Sequence, residues 1–177
     1  MKKNILICGL ISGIIVATFM VSVSMACYKN DDFESSMVLG YASMILAFSL
    51  VFVGIKNYRD KFNNGIVSFG KAFKIGLYIT LIASTIYVVV WLVEYYLFIP
   101  DFMDKYTAHV LKEASREGAS QAVLDEKSAE MRSYKEMYQS PIMVILLTYT
   151  EILPVGLVVS LISALILKRK PNMGTAA

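Results

Sequence analysis

The sequence has few of the residues from which enzyme and metal sites are built. It contains one histidine and two cysteines, and 18% of its residues are charged, compared with about a quarter in soluble domains. The histidine, His109, has Asp104 and Glu113 near it at helical spacings but no cysteine, which favours a solvated helix face over a metal site. There is also no Ser/His/Asp arrangement of the kind that hydrolases use. We therefore expect a protein that is not an enzyme and has no cofactor.

The two cysteines do not indicate an oxidising compartment. On one helix, Cys8 and Cys27 would lie roughly 28 Å apart, whereas a disulfide needs Cα atoms within about 7 Å. Cys27 follows Ser24-Met25-Ala26, which is weakly similar to a lipoprotein cleavage site. Because the apolar stretch before it is longer than a signal-peptide core of about 7–15 residues, an uncleaved helix is favoured.

Nucleotide and nucleic-acid binding are not supported by the pattern of glycines and basic residues. The run GIVSFGKA at 65–72 fits the phosphate-loop spacing, but Ala72 stands where magnesium needs Ser or Thr, and a polar turn rather than a strand precedes it. No tract combines dense Lys/Arg with interleaved aromatics. We expect no nucleic-acid partner.

Long apolar runs dominate what the sequence does contain. Hydrophobic residues make up 56% of the chain and are concentrated in four blocks, each long enough to cross roughly 30 Å of hydrocarbon as a helix. The sequence predicts an all-α membrane protein with one domain over 1–177. Its transmembrane helices are expected at about 4–26, 37–55, 75–99 and 142–167, with the lipid bilayer as their surroundings.

Lysine and arginine cluster on one side of the predicted spans. The connection on the other side, after the first span, has only Lys29, beside Asp31, Asp32 and Glu34. Because cytoplasmic loops are enriched in Lys and Arg, we expect a multi-pass protein of a bacterial inner membrane with cytoplasmic N and C termini. The basic residues that flank the spans on the predicted cytoplasmic side are Lys2, Lys3, Lys56, Arg59, Lys61, Lys71, Lys74, Lys168, Arg169 and Lys170.

The segment 101–140 is polar and is predicted to be helical and outside the membrane, as a hairpin or as extensions of the third and fourth spans. Asp101 and Ser120 are typical helix N-caps, and Gly118 is placed to end the first of two helices. With mixed charge and a face of tyrosine and methionine, this segment is the expected contact for a protein partner. The residues of that face include Met103, Tyr106, Met131, Tyr134 and Tyr138.

Small residues recur every four positions in three of the spans. Such stripes let helices approach closely in lipid, and we expect them to face neighbours in the same chain, with homo-oligomerisation as the open alternative. The stripes are Gly9, Gly13 and Ala17 in the first span, Ala72, Gly76, Thr80 and Ser84 in the third, and Gly156, Ser160 and Ala164 in the fourth.

Two glutamates lie within predicted spans. Glu151 is roughly 14 Å inside the outer end of the fourth, whereas Glu94 lies closer to the outer end of the third and is expected to reach the interface. A carboxylate as deep as Glu151 is costly unless it is protonated, paired or hydrated, and no Lys or Arg lies within a span to pair with it. Pro154, one turn further on, frees the carbonyl of Thr150 and predicts a kink.

These three residues, Glu151, Glu94 and Pro154, form the candidate intramembrane polar site. One interpretation is proton or cation handling, as in transporters. The other is a protonated glutamate that hydrogen bonds between helices and only stabilises packing. From the sequence alone the second interpretation is favoured.

Five short runs, spread over nearly the whole chain, carry a family resemblance. They are GYASM at 40–44, GIKNYRD at 54–60, SFGKAF at 68–73, PDFM at 100–103 and EILPVGL at 151–157. By these runs the sequence resembles an uncharacterised bacterial membrane family, domain of unknown function 4199. The resemblance implies a multi-helix inner-membrane protein without an assigned activity, and it supplies no functional residues.

The function expected from the sequence is that of a non-enzymatic scaffold or accessory subunit of the inner membrane. The alternative is a small oligomeric transporter or proton-coupled component that uses Glu151 and Glu94. A transport role requires Glu151 to face a hydrated cavity, whereas a packing role requires it to be sealed between helices.

Overall fold

The computed structural model describes residues 2–30 and 33–169, and this part of the chain is almost entirely helical. One isolated bridge, between Val67 and Arg169, is its only extended pairing. A short π-helical turn, Tyr58–Phe62, continues the second helix. The six α-helices are α1 (Lys2–Asn30), α2 (Glu34–Asn57), α3 (Phe69–Leu97), α4 (Phe102–Arg116), α5 (Gln121–Tyr138) and α6 (Pro141–Leu167).

Four of these helices are long and apolar enough to cross a membrane. They are α1, α3, α6 and the continuous helix Val38–Phe62 that contains most of α2. The predicted all-α class with four membrane-spanning helices is therefore confirmed. Helix α3 begins at Phe69 because Ser68 accepts a hydrogen bond from the Lys71 backbone N–H at 3.4 Å, and it ends ahead of Pro100, which disfavours helical conformation in the residue before it.

The small-residue stripes pack helix against helix within the chain, as predicted. A Cβ added at Gly9 would lie 2.8 Å from Ile82 Cβ, and one at Gly13 would lie 2.5 Å from Ile86 Cδ1, so α1 contacts α3 directly. In the same way Gly156 of α6 faces Thr80 of α3. Close approach of this kind replaces the hydrophobic driving force that is missing between helices in lipid.

Buried hydroxyls add hydrogen bonds across the same contacts. The Thr80 hydroxyl donates to the Gly156 carbonyl at 3.2 Å and lies 3.1 Å from the Ser160 hydroxyl. The Ser12 hydroxyl donates to the Ala47 carbonyl at 2.8 Å, joining α1 to α2. These bonds satisfy polar groups that would be costly in an apolar interior.

The described residues of the predicted cytoplasmic basic cluster lie at one end of the bundle, which we call the basic end. A turn at Asn64 and Gly65, with φ values of 50° and 76°, joins α2 to α3 there. The Asn4 amide donates to the Gly54 carbonyl at 2.8 Å, and the bridge between Val67 and Arg169 ties α6 to the same end. Lys170 of the predicted basic cluster, and Asp31 and Asp32 of the predicted acidic connection, lie outside the described residues.

Helices α4 and α5 form a hairpin that covers the opposite end, which we call the hairpin end. Gly118, with a φ of 79°, follows the end of α4 as predicted. Aromatic rings dock the hairpin onto the spans, with Trp91 and Phe102 centroids 5.4 Å apart and Tyr95 and Tyr138 centroids 5.2 Å apart, both edge to face. The segment between the third and fourth spans is therefore helical, as predicted.

Two N-cap predictions in the hairpin need correction. Asp101 and Ser120 do occupy N-cap positions, but neither side chain makes a capping hydrogen bond. The Asp101 carboxylate accepts instead from the Tyr28 hydroxyl of α1, and this hydrogen bond holds the pKa of Asp101 below its usual range. Asp101 thus anchors the hairpin to α1, a tertiary role that local sequence does not reveal.

Candidate functional site

Glu94 is sealed inside the bundle and does not reach the interface. Its residue surface is 3% exposed, and its Oε1 lies 2.5 Å from the Ser24 hydroxyl of α1. The other oxygen, Oε2, is buried without a hydrogen-bond partner among the described residues. The expectation that Glu94 reaches the interface is therefore wrong, because its side chain points across the contact with α1.

The hydrogen bond of Glu94 fits the interhelical packing interpretation. A serine hydroxyl has one proton to donate, and the Ser24 hydroxyl also lies 2.8 Å from the Met20 carbonyl. That proton is shared between the Met20 carbonyl and Glu94 Oε1, and Ser24 donates to both, while Glu94 Oε2 has no partner among the described residues. This hydrogen bond links α1 to α3.

Glu151 has different surroundings, because its side chain is exposed and lines a cavity at the hairpin end. The Tyr87 hydroxyl of α3 lies beside the Glu151 carboxyl group. Two other hydroxyl groups of α3 and α6, those of Ser84 and Thr148, do not pair with Glu151. The Thr148 hydroxyl donates to the Val144 carbonyl in its own helix, and the Ser84 hydroxyl has no partner among the described residues.

This Glu151 cavity has a volume of about 520 Å³. Its walls come from the hairpin-end halves of α1, α2, α3 and α6, and α4 and α5 cover it. Aromatic and methionine side chains make up much of the lining. They include Tyr87, Trp91, Phe102, Tyr106, Tyr134, Tyr138, Met20, Met44, Met103 and Met131.

The charged groups in the lining are two carboxylates, Glu130 of α5 and Glu151 of α6. Among the residues that the structure describes, no lysine, arginine or histidine lines this cavity. Burial, followed by the negative charge of Glu151, raises the pKa of Tyr138 to about 12. The Tyr138 phenol therefore stays protonated at neutral pH and can donate a hydrogen bond into the cavity.

Pro154 lies inside α6, one turn beyond Glu151 toward the basic end, and it does not line the cavity. Its missing N–H leaves the Thr150 carbonyl without its usual helical donor, while the Thr150 hydroxyl donates to the Leu147 carbonyl at 2.7 Å. Of the three candidate residues, the structure thus places only Glu151 in the cavity. Glu94 touches it indirectly, through Ser24, which is a lining residue.

The three residues of the possible metal site around His109 make other contacts in the structure. Asp104 pairs with Lys135 of α5, Glu113 pairs with Arg116, and the His109 ring packs against Phe33 with centroids 5.3 Å apart. Over the described residues, no group of three or more His, Cys, Asp or Glu side chains is placed to hold a metal ion.

The α5 residues that line the cavity include those of its tyrosine and methionine face. That face was predicted to contact a partner protein, but Met131, Tyr134 and Tyr138 turn toward the spans and line the cavity. Glu130 was missed altogether, because a glutamate on a polar helix is indistinguishable in sequence from a solvated surface residue. Only the docking of the hairpin brings it over Glu151's cavity.

Four span-length helices around a cavity that contains a carboxylate define a multi-pass helical membrane protein. The family described as "Protein of unknown function (DUF4199)" matches residues 7–169, and the chain belongs to this family. The predicted resemblance is therefore confirmed. No match was found among curated proteins or among solved structures.

Proposed function

We propose that this protein is a non-enzymatic membrane protein that binds a small solute or ion in the Glu151 cavity, as a transporter or proton-coupled component. The observation that carries the proposal is that Glu151, a carboxylate inside a membrane-spanning helix, lines a cavity of about 520 Å³ in addition to its contact with Tyr87 of α3. This reverses the preference for a scaffold that the sequence alone gave.

The contrast between the two glutamates supports this choice. A glutamate that serves only to join helices is expected to be sealed and hydrogen bonded, and Glu94 has both properties. Glu151 is exposed to a cavity, where water or a solute can reach it. Carboxylates in such positions mark ion and substrate pathways in membrane proteins.

The residues around Glu151 suit a group that gains and loses a proton. The Tyr87 phenol lies beside it and can donate to an ionised carboxylate or accept from a protonated one, and Tyr138 lines the same cavity. Because four helices in one copy rarely enclose a complete pathway, we propose that the protein acts as an oligomer or as one component of a larger assembly.

The proposed location is a bacterial inner membrane with both termini in the cytoplasm. Basic residues next to each of the four helices lie together at one end, where Asn4 contacts Gly54 and Val67 contacts Arg169. In the hairpin at the other end, basic residues are outnumbered by acidic ones. Under the positive-inside rule this end is cytoplasmic. The hairpin end and the Glu151 cavity then lie on the outer side.

A scaffold or accessory role is the second candidate, and helix α5 favours it. Of the 18 residues of α5, Met131 is the only buried one, although Tyr138 also packs on the spans. The opposite face, which includes the exposed residues Glu126, Arg132 and Glu136, is a long charged surface available to a partner protein. Loss of a co-purifying protein on replacement of these three residues by serine, with the cavity intact, would support this role.

Infrared difference spectroscopy of the carboxyl band tests the proposed function. Subtracting the spectrum of Glu151→Gln from that of the wild-type protein isolates the Glu151 band. We expect this band to exchange between its protonated and ionised forms when the pH is scanned through neutrality, or to shift when sodium is added. Both responses follow from contact with water or solute.

Glu94→Gln is the matched control for this measurement. The Glu94 band, isolated in the same way, should stay constant over the same range, because the group is sealed against Ser24. A Glu151 band that ignores pH and sodium as the Glu94 band does would contradict the proposal and favour the packing interpretation for both residues.

A further inference from the structure

The charges that line the Glu151 cavity are all negative. Glu130 approaches from the hairpin and Glu151 from the spans, and the described lining contains no basic residue to neutralise either one. Both residues line the same partly open cavity, where the effective dielectric is lower than in bulk water. An anionic ligand would be repelled from both sides, whereas a cation would be attracted.

The uncharged part of the lining indicates which kind of cation fits. Small inorganic cations require several oxygen ligands, but aromatic rings and thioethers predominate around the carboxylates here. The π faces of Tyr and Trp attract cations that lack a tight hydration shell, and methionine adapts to irregular apolar shapes. Trp91 and Tyr87 stand on one wall, Tyr134 and Met131 on the hairpin, and Met44 on α2.

The size of the cavity agrees with an organic ligand. Its volume of about 520 Å³ falls within the range of roughly 300–1,000 Å³ that is typical of small-molecule sites. We propose that the Glu151 cavity binds a hydrophobic organic cation, such as a quaternary ammonium or phosphonium compound, between Glu151, Glu130 and the surrounding aromatic rings. This inference rests on the proposed function and specifies the class of its ligand.

Tetraphenylphosphonium is a suitable probe, and tetraphenylborate is its control, with the same shape and the opposite charge. Trp91 is the only tryptophan in the chain and lines the cavity, so its fluorescence reports directly on occupancy. With the purified full-length protein in detergent, we expect saturable quenching by tetraphenylphosphonium and no saturable quenching by tetraphenylborate.

Three variants that retain Trp91 locate the binding site. Glu151→Gln is expected to weaken tetraphenylphosphonium binding about tenfold or more, since it removes a charge at the centre of the site. Glu130→Gln, at the exposed rim, should weaken it less, and Glu94→Gln should leave it unchanged. Equal saturable binding of both ions, no saturable binding of the cation, or an unchanged affinity in Glu151→Gln would overturn the inference.

A free cation and the ammonium of a lipid headgroup share this chemistry, and competition distinguishes them. Displacement of tetraphenylphosphonium by a short-chain phosphatidylethanolamine would assign the site to a lipid headgroup. Continued binding in the presence of that lipid would assign it to a free cation. In either case the conclusion that the cavity binds an organic cation holds.

Failure of this inference is distinguishable from failure of the proposed function. If tetraphenylphosphonium does not bind but the Glu151 infrared band responds to pH or sodium, the ligand class is wrong and the solute site remains. If the infrared band is invariant, the proposed function itself fails.

Discussion

Replacing Gly156 with alanine is expected to lower the free energy of unfolding by about 1–3 kcal/mol, the usual cost of overpacking a filled contact. A Cβ at this position would lie 2.3 Å from Thr80 Cγ2 and 2.9 Å from Phe48 Cζ. Thr80 cannot turn away freely, because its hydroxyl is held by the Gly156 carbonyl and Ser160. Helices α3 and α6 must therefore move apart, and the loss should be visible in thermal unfolding of the protein in detergent.

Gly70→Ala is the matched control for this substitution. Gly70 lies in the first turn of α3, and nothing lies within 4 Å of an added Cβ there. Alanine is favoured over glycine in a helix by up to about 1 kcal/mol, so the control should be neutral or slightly stabilising. Equal stability changes in the two variants would show that close packing at Gly156 does not hold α3 and α6 together.

Replacing Trp91 with alanine is expected to undock the hairpin. Trp91 is 9% exposed and contacts Phe102 of α4, and its neighbour Tyr95 contacts Tyr138 of α5. Removing a buried tryptophan typically costs about 3–5 kcal/mol, and helices as short as α4 are marginal without tertiary packing. Hydrogen exchange in α4 and α5 should therefore become markedly faster, while α2 and the basic end keep their protection.

Val89→Ala serves as the control for this second prediction. Val89 lies on the same helix as Trp91, but it is 53% exposed, and such substitutions usually change stability by no more than about 0.5 kcal/mol. Trp91→Phe, which keeps an aromatic ring, should give an intermediate result. Unchanged exchange in the hairpin of Trp91→Ala would mean that other contacts, such as that of Tyr28 with Asp101, suffice to hold it.

The number, kind and approximate limits of the spans could be predicted from the sequence because they depend on local properties. An apolar run of sufficient length can form only a few structures in lipid. The helix start at Ser68 and the turns at Gly65 and Gly118 depend only on residues within one turn of the chain. The helix contacts of the small-residue stripes could also be predicted, because a spacing of four residues places Gly156 and Ser160 on one face of the helix.

The surroundings of the two glutamates could not be predicted, because they depend on how the helices are rotated. Depth along the helix suggested that Glu151 was the more deeply enclosed and that Glu94 reached the surface. In the structure, rotation of α3 turns Glu94 onto Ser24, and the gap beneath the hairpin leaves Glu151 exposed. Sequence position gives depth along a span, but it does not say which neighbour a side chain meets.

The most direct test of the central claim, that Glu151 faces a hydrated cavity on the outer side, is cysteine accessibility. In a protein with Cys8 and Cys27 replaced by alanine, single cysteines are introduced at Glu151, Glu94, Ser120 and Asn64. A charged, membrane-impermeant thiol reagent is then added to the outside of intact spheroplasts. We expect rapid modification at positions 151 and 120, slow modification at 94, and modification at 64 only after the membrane is opened.

One result of this measurement would contradict the hydrated cavity at Glu151, and another would contradict the proposed orientation. If Glu151→Cys reacts as slowly as Glu94→Cys while Ser120→Cys reacts rapidly, the carboxylate is sealed and the cavity is not a solute site. If Asn64→Cys reacts from outside and Ser120→Cys does not, the proposed orientation is reversed. Rapid reaction at 151 and 120 together, with 94 and 64 protected, is expected if Glu151 faces a hydrated cavity on the outer side.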